Sequence, residues 1–187
     1  MRKLIMWNLI SLDGYFEGEK KWDLSFHGLV WGKELEDLSL TQLRSADYLV
    51  FGATTYQGMA EYWTNAPEDE GDVAKFMNSL PKLVCSTTLQ SANWKNTTIT
   101  KDAVKEVTKL KNEGSGNMFV FGSGNLSASL MKANLFDEYR ICITPIFLGK
   151  GNKLFQEGIP NIPLKRMETN SLSSGAVILR YTPKTNQ

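Results

Sequence analysis

The sequence predicts one α/β domain, residues 1–187, with a mostly parallel sheet covered by helices and antiparallel strands at its carboxyl end. Three observations predict it. Short runs are apolar at every position, as in strands buried on both faces. Each is followed by a turn of Gly, Ser or Thr and then a helical segment, and beyond Phe136 the pattern changes to strict alternation.

Taken in order, residues 4–9 form a first strand. Met1-Arg2-Lys3 ahead of them resembles the start of a signal peptide, but Asn8 interrupts the apolar stretch and no small-x-small cleavage site follows. A helix is expected over residues 33–44, where Leu35, Leu38 and Leu43 share a face. Tyr48-Leu49-Val50-Phe51 is the next strand, turning at Gly52-Ala53-Thr54-Thr55. Leu83-Val84-Cys85 turns at Ser86-Thr87-Thr88, and Met118-Phe119-Val120-Phe121 turns at Gly122-Ser123-Gly124-Asn125. A second helix spans about residues 101–111 with Thr100 as N-cap, and a third residues 125–133, closed by Asn134. Tyr139, Ile141 and Ile143 lie on one face of a strand. Ser173-Ser174-Gly175 turns a C-terminal hairpin between residues 164–172 and 176–182. The polar stretches 17–21, 65–72 and 184–187 read as loops or a frayed end.

Composition removes several classes of function. Lys+Arg number 21 and Asp+Glu 20, leaving no excess charge for a nucleic acid or an acidic membrane surface. No apolar run approaches the roughly 18 residues of a membrane span. Cys85 and Cys142 sit singly in apolar runs and read as buried free thiols, which suits a reducing, cytoplasmic setting. One histidine, His27, builds neither an imidazole metal site nor a histidine-based catalytic array, and no metal is expected. His27 reads as a loop residue at the surface or in packing, although its ordinary pKa suits a proton donor.

At the carboxyl ends of parallel strands, helix amino termini present free N–H groups and a partial positive charge. The three Gly/Ser/Thr turns fall there, and together they suit an extended ligand with several phosphates; each alone is equally readable as an ordinary turn. Gly122-x-Gly124 runs on to Ser127, where a Rossmann fingerprint requires Gly or Ala, and no acidic residue follows at the ribose-binding distance.

These residues carry a resemblance. Ser11-Leu12-Asp13-Gly14, Phe51-Gly52-Ala53-Thr54-Thr55-Tyr56 and Phe121-Gly122-Ser123-Gly124-Asn125-Leu126 resemble the reductase domain at the carboxyl end of bifunctional riboflavin-biosynthesis deaminase-reductases. The segment from Leu135-Phe136-Asp137-Glu138-Tyr139-Arg140 through Thr144-Pro145-Ile146-Phe147-Leu148-Gly149-Lys150-Gly151 to Leu154-Phe155 is the most specific match, and the likeness covers essentially the whole chain. It implies a dihydrofolate-reductase-like three-layer fold that binds NADPH, with NADH possible, and reduces a small pyrimidine-, pterin- or folate-like molecule. No zinc-deaminase signature stands beside it, so the reductase part alone is expected.

The resemblance implies that Gly52, Ala53, Thr54 and Thr55 hold cofactor phosphate, Ser86 and Thr87 the adenosine end, and Phe121, Gly122, Ser123, Gly124, Asn125 and Leu126 the diphosphate and nicotinamide. Relatives often carry Arg where this chain has Ala53, so the NADPH preference is expected to be modest. For catalysis Asp13 and Asp23 are the carboxylates of interest, Asp13 being also a common turn former. Trp7, Trp22, Trp31, Tyr56 and Trp63 suit either a flat substrate's pocket or the core. Asp137 and Glu138 are expected to pair with bases or cap an element. A homodimer is expected. A catalytically silent dinucleotide-binding module is the competing reading.

Overall fold

The computed structural model describes residues 1–66 and 71–184. The strands are β1 (Lys3–Ser11), β2 (Tyr15–Glu17), β3 (Ala46–Gly52), β4 (Lys82–Cys85), β5 (Thr97–Thr100), β6 (Asn117–Phe121), β7 (Glu138–Thr144), β8 (Asn152–Lys153), β9 (Leu164–Ser171) and β10 (Val177–Pro183). The helices are α1 (Lys33–Arg44), α2 (Ala53–Thr64), α3 (Gly71–Ser79), α4 (Ala103–Asn112) and α5 (Gly124–Lys132), with a short 3-10 helix at Ser25–Leu29.

Eight strands form one sheet in the order β5-β4-β3-β6-β1-β7-β10-β9. The first six are mutually parallel, while β10 runs antiparallel to β7 and to β9. This is the mixed, mostly parallel sheet that the apolar runs and later alternation imply. Alternation along β1 sorts the core into two layers. Ile5 and Trp7 pack with Leu35 and Leu43 of α1, Tyr56 of α2 and Met77 of α3. Leu4, Met6 and Ile10 pack with Val107 and Leu110 of α4 and Leu126 and Leu130 of α5. Burial on both faces is why β1, β3 and β6 read as unbroken apolar runs.

Helix ends follow local chemistry. Asn134, at φ +51, lets Leu135 N–H reach the Leu130 carbonyl and its own N–H the Met131 carbonyl, a Schellman stop for α5. The N-cap of α4 differs from expectation: Asp102, not Thr100, accepts from Lys105 N–H, because Thr100 is already the last residue of β5.

Other expectations also need correction. No helix follows the turn after β4 among the described residues; the chain runs irregularly to β5. The stretch 17–21 is not wholly a solvated loop, since Glu17 ends β2 and is buried. In the stretch 65–72, Gly71 and Asp72 begin α3, and 67–70 lie outside the described residues, as do 185–187 of the tail. A two-stranded ribbon, β2 with β8, had no legible signal at that length.

Cys142 is buried and Cys85 half-buried; both are free, and burial pushes each thiol up to about 12, so they stay protonated. No helix of the described residues is long and apolar enough to cross a membrane. Among those residues no group of three or more His, Cys, Asp or Glu could hold a metal ion.

Candidate active site

A cavity of about 610 Å³ opens at the carboxyl ends of β1 and β6. That size suits a small ligand or the reactive part of a larger one. Thr54, Thr55, Phe121, Gly122, Ser123, Gly124 and Asn125 line one end. Trp7, Phe16, Trp22, Leu24 and His27 line the other, with Glu17, Asn152 and Gln156 between β2 and the strap around β8.

Two helices point their starts at this space. α2 begins after Gly52 and α5 after Ser123, and neither start has a side-chain cap. The first N–H groups of both therefore remain available for an anion, reinforced by two helix dipoles. The contrast is α4, whose start after β5 is capped by Asp102.

The loops interlock. Gly122 has φ +57 and Ser123 φ +60, so the chain leaves β6 through two left-handed residues, a conformation Gly adopts freely and Ser only under constraint. A Cβ on Gly122 would lie 3.0 Å from Thr55 Oγ1, and one on Gly52 would overlap Ser123 Oγ. Thr55 Oγ1 in turn donates to Ser123 Oγ at 3.4 Å. Gly124, which lines the cavity, is also constrained by the β8 strap: a Cβ there would meet Gln156 Nε2 at 2.7 Å and the Lys153 carbonyl at 3.3 Å.

Asn8, buried in β1, ties this loop to the sheet: its Oδ1 accepts Gly122 N–H at 2.8 Å, while its Nδ2 has no partner among the described residues. An unsatisfied buried donor beside a cavity fits a ligand acceptor or an ordered water.

Of the residues singled out in the sequence, the cavity brings together Thr54, Thr55, Phe121, Gly122, Ser123, Gly124 and Asn125. Gly52, Ala53 and Leu126 stand behind them at the helix starts, Leu126 in the core. Ser86 and Thr87 lie outside the cavity wall, after β4, the strand beyond β3; Ser86 Oγ accepts Thr88 and Leu89 N–H in a local turn.

Asp13 and Asp23 do not line the cavity. Asp13 accepts from Ser11 Oγ and from Leu148 and Gly149 N–H, clamping the β1–β2 turn to the loop after β7. The Ser11 bond foremost, helped by the backbone N–H groups of Gly149 and Leu148, outweighs desolvation and holds its carboxyl below the usual range. Asp23 accepts from Ser25 Oγ at 2.8 Å. Trp7 and Trp22 reach the cavity, whereas Tyr56 is buried with its hydroxyl accepting Trp94 N–H, Trp63 bonds Met59 and Trp31 is exposed.

Asn8 and Glu17 were not legible as site residues, and His27 was readable as a proton donor only by its residue type, with a surface or packing role expected. Glu17 accepts Trp22 N–H on one oxygen and Asn152 Nδ2 on the other. His27 lies in the 3-10 helix Ser25–Leu29 rather than a loop and lines the cavity. Burial lowers its pKa to about 4, so the ring is neutral at pH 7. Asp137 and Glu138, expected to pair with bases, do so: Asp137 with Lys111, and buried Glu138 with Arg140 and Arg180.

The eight-stranded sheet, the helix layers and the site at the strand ends define a dihydrofolate-reductase-like α/β protein. The chain belongs to the RibD C-terminal domain family, which it matches over residues 2–178. It is 28% identical over 184 residues to the uncharacterized protein YyaP of Bacillus subtilis, covering 96% of this chain and 94% of that one. With the uncharacterized protein YwjB of the same organism it shares 24% over 184 residues, 96% and 97% of the two chains.

Among solved structures, a Shewanella sp. PV-4 protein provisionally assigned to riboflavin biosynthesis superposes with TM-score 0.78 at 21% identity, over 99% of this chain and 100% of that one. A pyrimidine reductase-like protein of Corynebacterium diphtheriae gives 0.66 at 13%, over 99% and 93%. Dihydrofolate reductase from Enterococcus faecalis, complexed with NADP(H) and RAB-propyl, gives 0.63 at 12%, over 98% and 97%. These likenesses establish a reductase-type fold.

Proposed function

We propose that the chain is a nicotinamide-dinucleotide-dependent reductase that transfers a hydride to a small heterocyclic substrate. The observation that carries the reading is the convergence of two uncapped helix starts, α2 and α5, on a single cavity whose far end is aromatic. The family and the fold neighbours support it.

In this reading the first N–H groups of α2 and α5, with Thr54, Thr55 and the Gly122-Ser123 backbone, hold the diphosphate. Ser86 and Thr87, one strand further out, take the adenosine end. Asn8 offers its free amide N–H at the inner end of the same loop. The nicotinamide, when bound, supplies the hydride. The protein's share is to bind, orient and keep the far end dry with Trp7, Phe16 and Trp22. NADPH is the preferred cofactor and NADH the weaker one.

One observation favours the alternative of a silent dinucleotide-binding module: Asp13 and Asp23 stand outside the cavity and both oxygens of Glu17 are engaged, leaving none of these three as a free acid in it. Titration with NADPH and NADH by tryptophan quenching tests cofactor binding, and absence of saturation with either removes both readings. Cofactor oxidation with pyrimidine, pterin and folate substrates separates them. The homodimer belongs to the same proposal, because edge strand β9 exposes all eight of its residues, Leu164 and Met167 included. Light scattering giving a monomer at micromolar concentration overturns it.

A further inference from the structure

Glu17 is a buried acid whose partners are all neutral. It ends β2, is 7% exposed and lines the cavity, and the two residues it bonds, Trp22 and Asn152, line the same cavity. Each oxygen accepts from an N–H donor, Trp22 N–H on Oε1 and Asn152 Nδ2 on Oε2, which is the bonding pattern of an ionised carboxylate. Among the described residues it makes no ion pair. The contrast is Glu138, equally buried but held between Arg140 and Arg180.

Two N–H donors return only part of the solvation that burial removes, and a buried charge ordinarily has a counter-charge. The wiring of the strap does not itself demand an ion. A glutamine here would take Trp22 N–H on its C=O and meet Asn152 through its NH2, with the Asn152 amide turned over. The other charges on the cavity do not neutralise Glu17: Glu19 and Lys21 are exposed, and Glu19 is paired with Lys150. His27 is neutral. The buried charge of this wall is therefore negative. It shares the wall with Trp7, Phe16 and Trp22, and at an effective dielectric constant of about 20 rather than 80 it acts about four times as strongly as in water.

We propose that Glu17 is the counter-charge for the oxidised nicotinamide ring, so that the cavity holds the cofactor more tightly after hydride transfer than before it. This rests on the reductase reading. In that reaction the C4–H bond of the dihydronicotinamide breaks with both electrons going to a C=N or C=O carbon of the substrate, and a proton from water completes the substrate's heteroatom. The ring is neutral before transfer and a pyridinium cation after it. A fixed negative charge in the wall favours that cation and the transition state in which its charge is developing, and it requires no contact with the substrate. The same attraction delays release of the spent cofactor.

The test reads binding rather than turnover. NADP+ and NADPH are titrated separately into wild type, Glu17→Gln and Glu19→Gln by tryptophan quenching, with calorimetry as a second measure. Wild type is expected to bind NADP+ at least as tightly as NADPH. Glu17→Gln is expected to lower the ratio of NADP+ to NADPH affinity by about tenfold or more. Glu19→Gln removes an exposed, already paired charge from the same cavity and should leave the ratio within about twofold. A purely structural role for Glu17 would loosen Trp22 and the strap and weaken both cofactors alike, so an unmoved ratio in Glu17→Gln overturns the proposal. A wild type that binds NADPH more tightly than NADP+ overturns it too, and that measurement needs no variant to fold. Binding of neither cofactor by the wild type overturns the reductase reading instead.

Discussion

Gly52 packs its α-carbon directly against the side chain of Ser123, so that a methyl group at position 52 would overlap Ser123 Oγ. The residue before α2 and the residue before α5 thus share one small space, and Gly122 on Thr55 repeats the arrangement at 3.0 Å. The two helix starts are a single unit because β3 and β6 are neighbours in the sheet and end together.

Gly52→Ala is therefore expected to push the loops apart and weaken NADPH binding by roughly tenfold or more, an overpacking cost of about 1–3 kcal/mol. Ser123→Gly removes the opposing hydroxyl and suits the left-handed backbone at φ +60, so the double variant should regain most of the loss. Fluorescence titration of the wild type, the two single variants and the double variant closes the cycle. Additive effects would mean that the two positions do not touch.

Ala53 is the first residue of α2, half-buried and behind the cavity wall. In the proposed reading NADPH exceeds NADH by about 10- to 100-fold through hydroxyls alone, each bond to a charged group contributing about 1.5–3 kcal/mol. Ala53→Arg should widen that ratio through a bidentate contact with the 2'-phosphate. Calorimetric titration of both cofactors into both proteins measures it. An unmoved ratio would show that this helix start does not face the adenosine phosphate.

The sheet was legible because six of its strands are parallel and the inner ones are buried on both faces, which leaves a run apolar at every position, as in Leu49, Val50 and Phe51. β5 escaped because Thr97–Thr100 is an edge strand with no such demand on its composition, and α3 because its first turn is polar. At the site, the loops after β3 and β6 announced themselves through Gly and Thr, since backbone that approaches other backbone needs small residues. The far end did not. Asn8 has a local signal that was there to read, a lone polar residue within a buried strand; His27 was readable only by its residue type, and Glu17 becomes a site residue only through its tertiary partners Trp22 and Asn152. Asp13 is ambiguous in the sequence because its Ser-x-Asp-Gly context fits a turn clamp as well as a reactive carboxylate; in the fold three donors engage it in the clamp.

Lys82 is wholly buried, and its ammonium donates to the carbonyls of Asn78, Leu80 and Lys95 at 3.1, 2.8 and 3.2 Å while standing 4.4 Å from the Trp94 ring centre. It ties the end of α3 to the segment before β5. Lys82→Met keeps the stem and strands three part-buried carbonyl acceptors, so a loss of about 3 kcal/mol is expected. For a chain of this size that lowers Tm by roughly 6–12 °C. Calorimetry reads it, and a variant with unchanged Tm would show that the three carbonyls find water instead.

His27 also sets an acid limit on stability. Its ordinary pKa of 6.5 falls to about 4 in the folded chain because burial disfavours the charged ring. Below pH 6.5 the unfolded chain takes up a proton that the folded chain refuses. The stabilisation is thus fully present above 6.5 and is lost as pH falls toward 4. Between pH 7 and pH 5 the expected loss is about 2 kcal/mol. The carboxyls held below their usual range, such as Glu138, where the bonds from Arg140 and Arg180 overcome desolvation, keep their contribution in that window and give it up only at lower pH. Urea unfolding of the wild type at the two pH values should show this drop, and His27→Gln, with no imidazole to titrate, should show little of it. An equal drop in both proteins would place the titration elsewhere and return His27 to an ordinary, solvated ring.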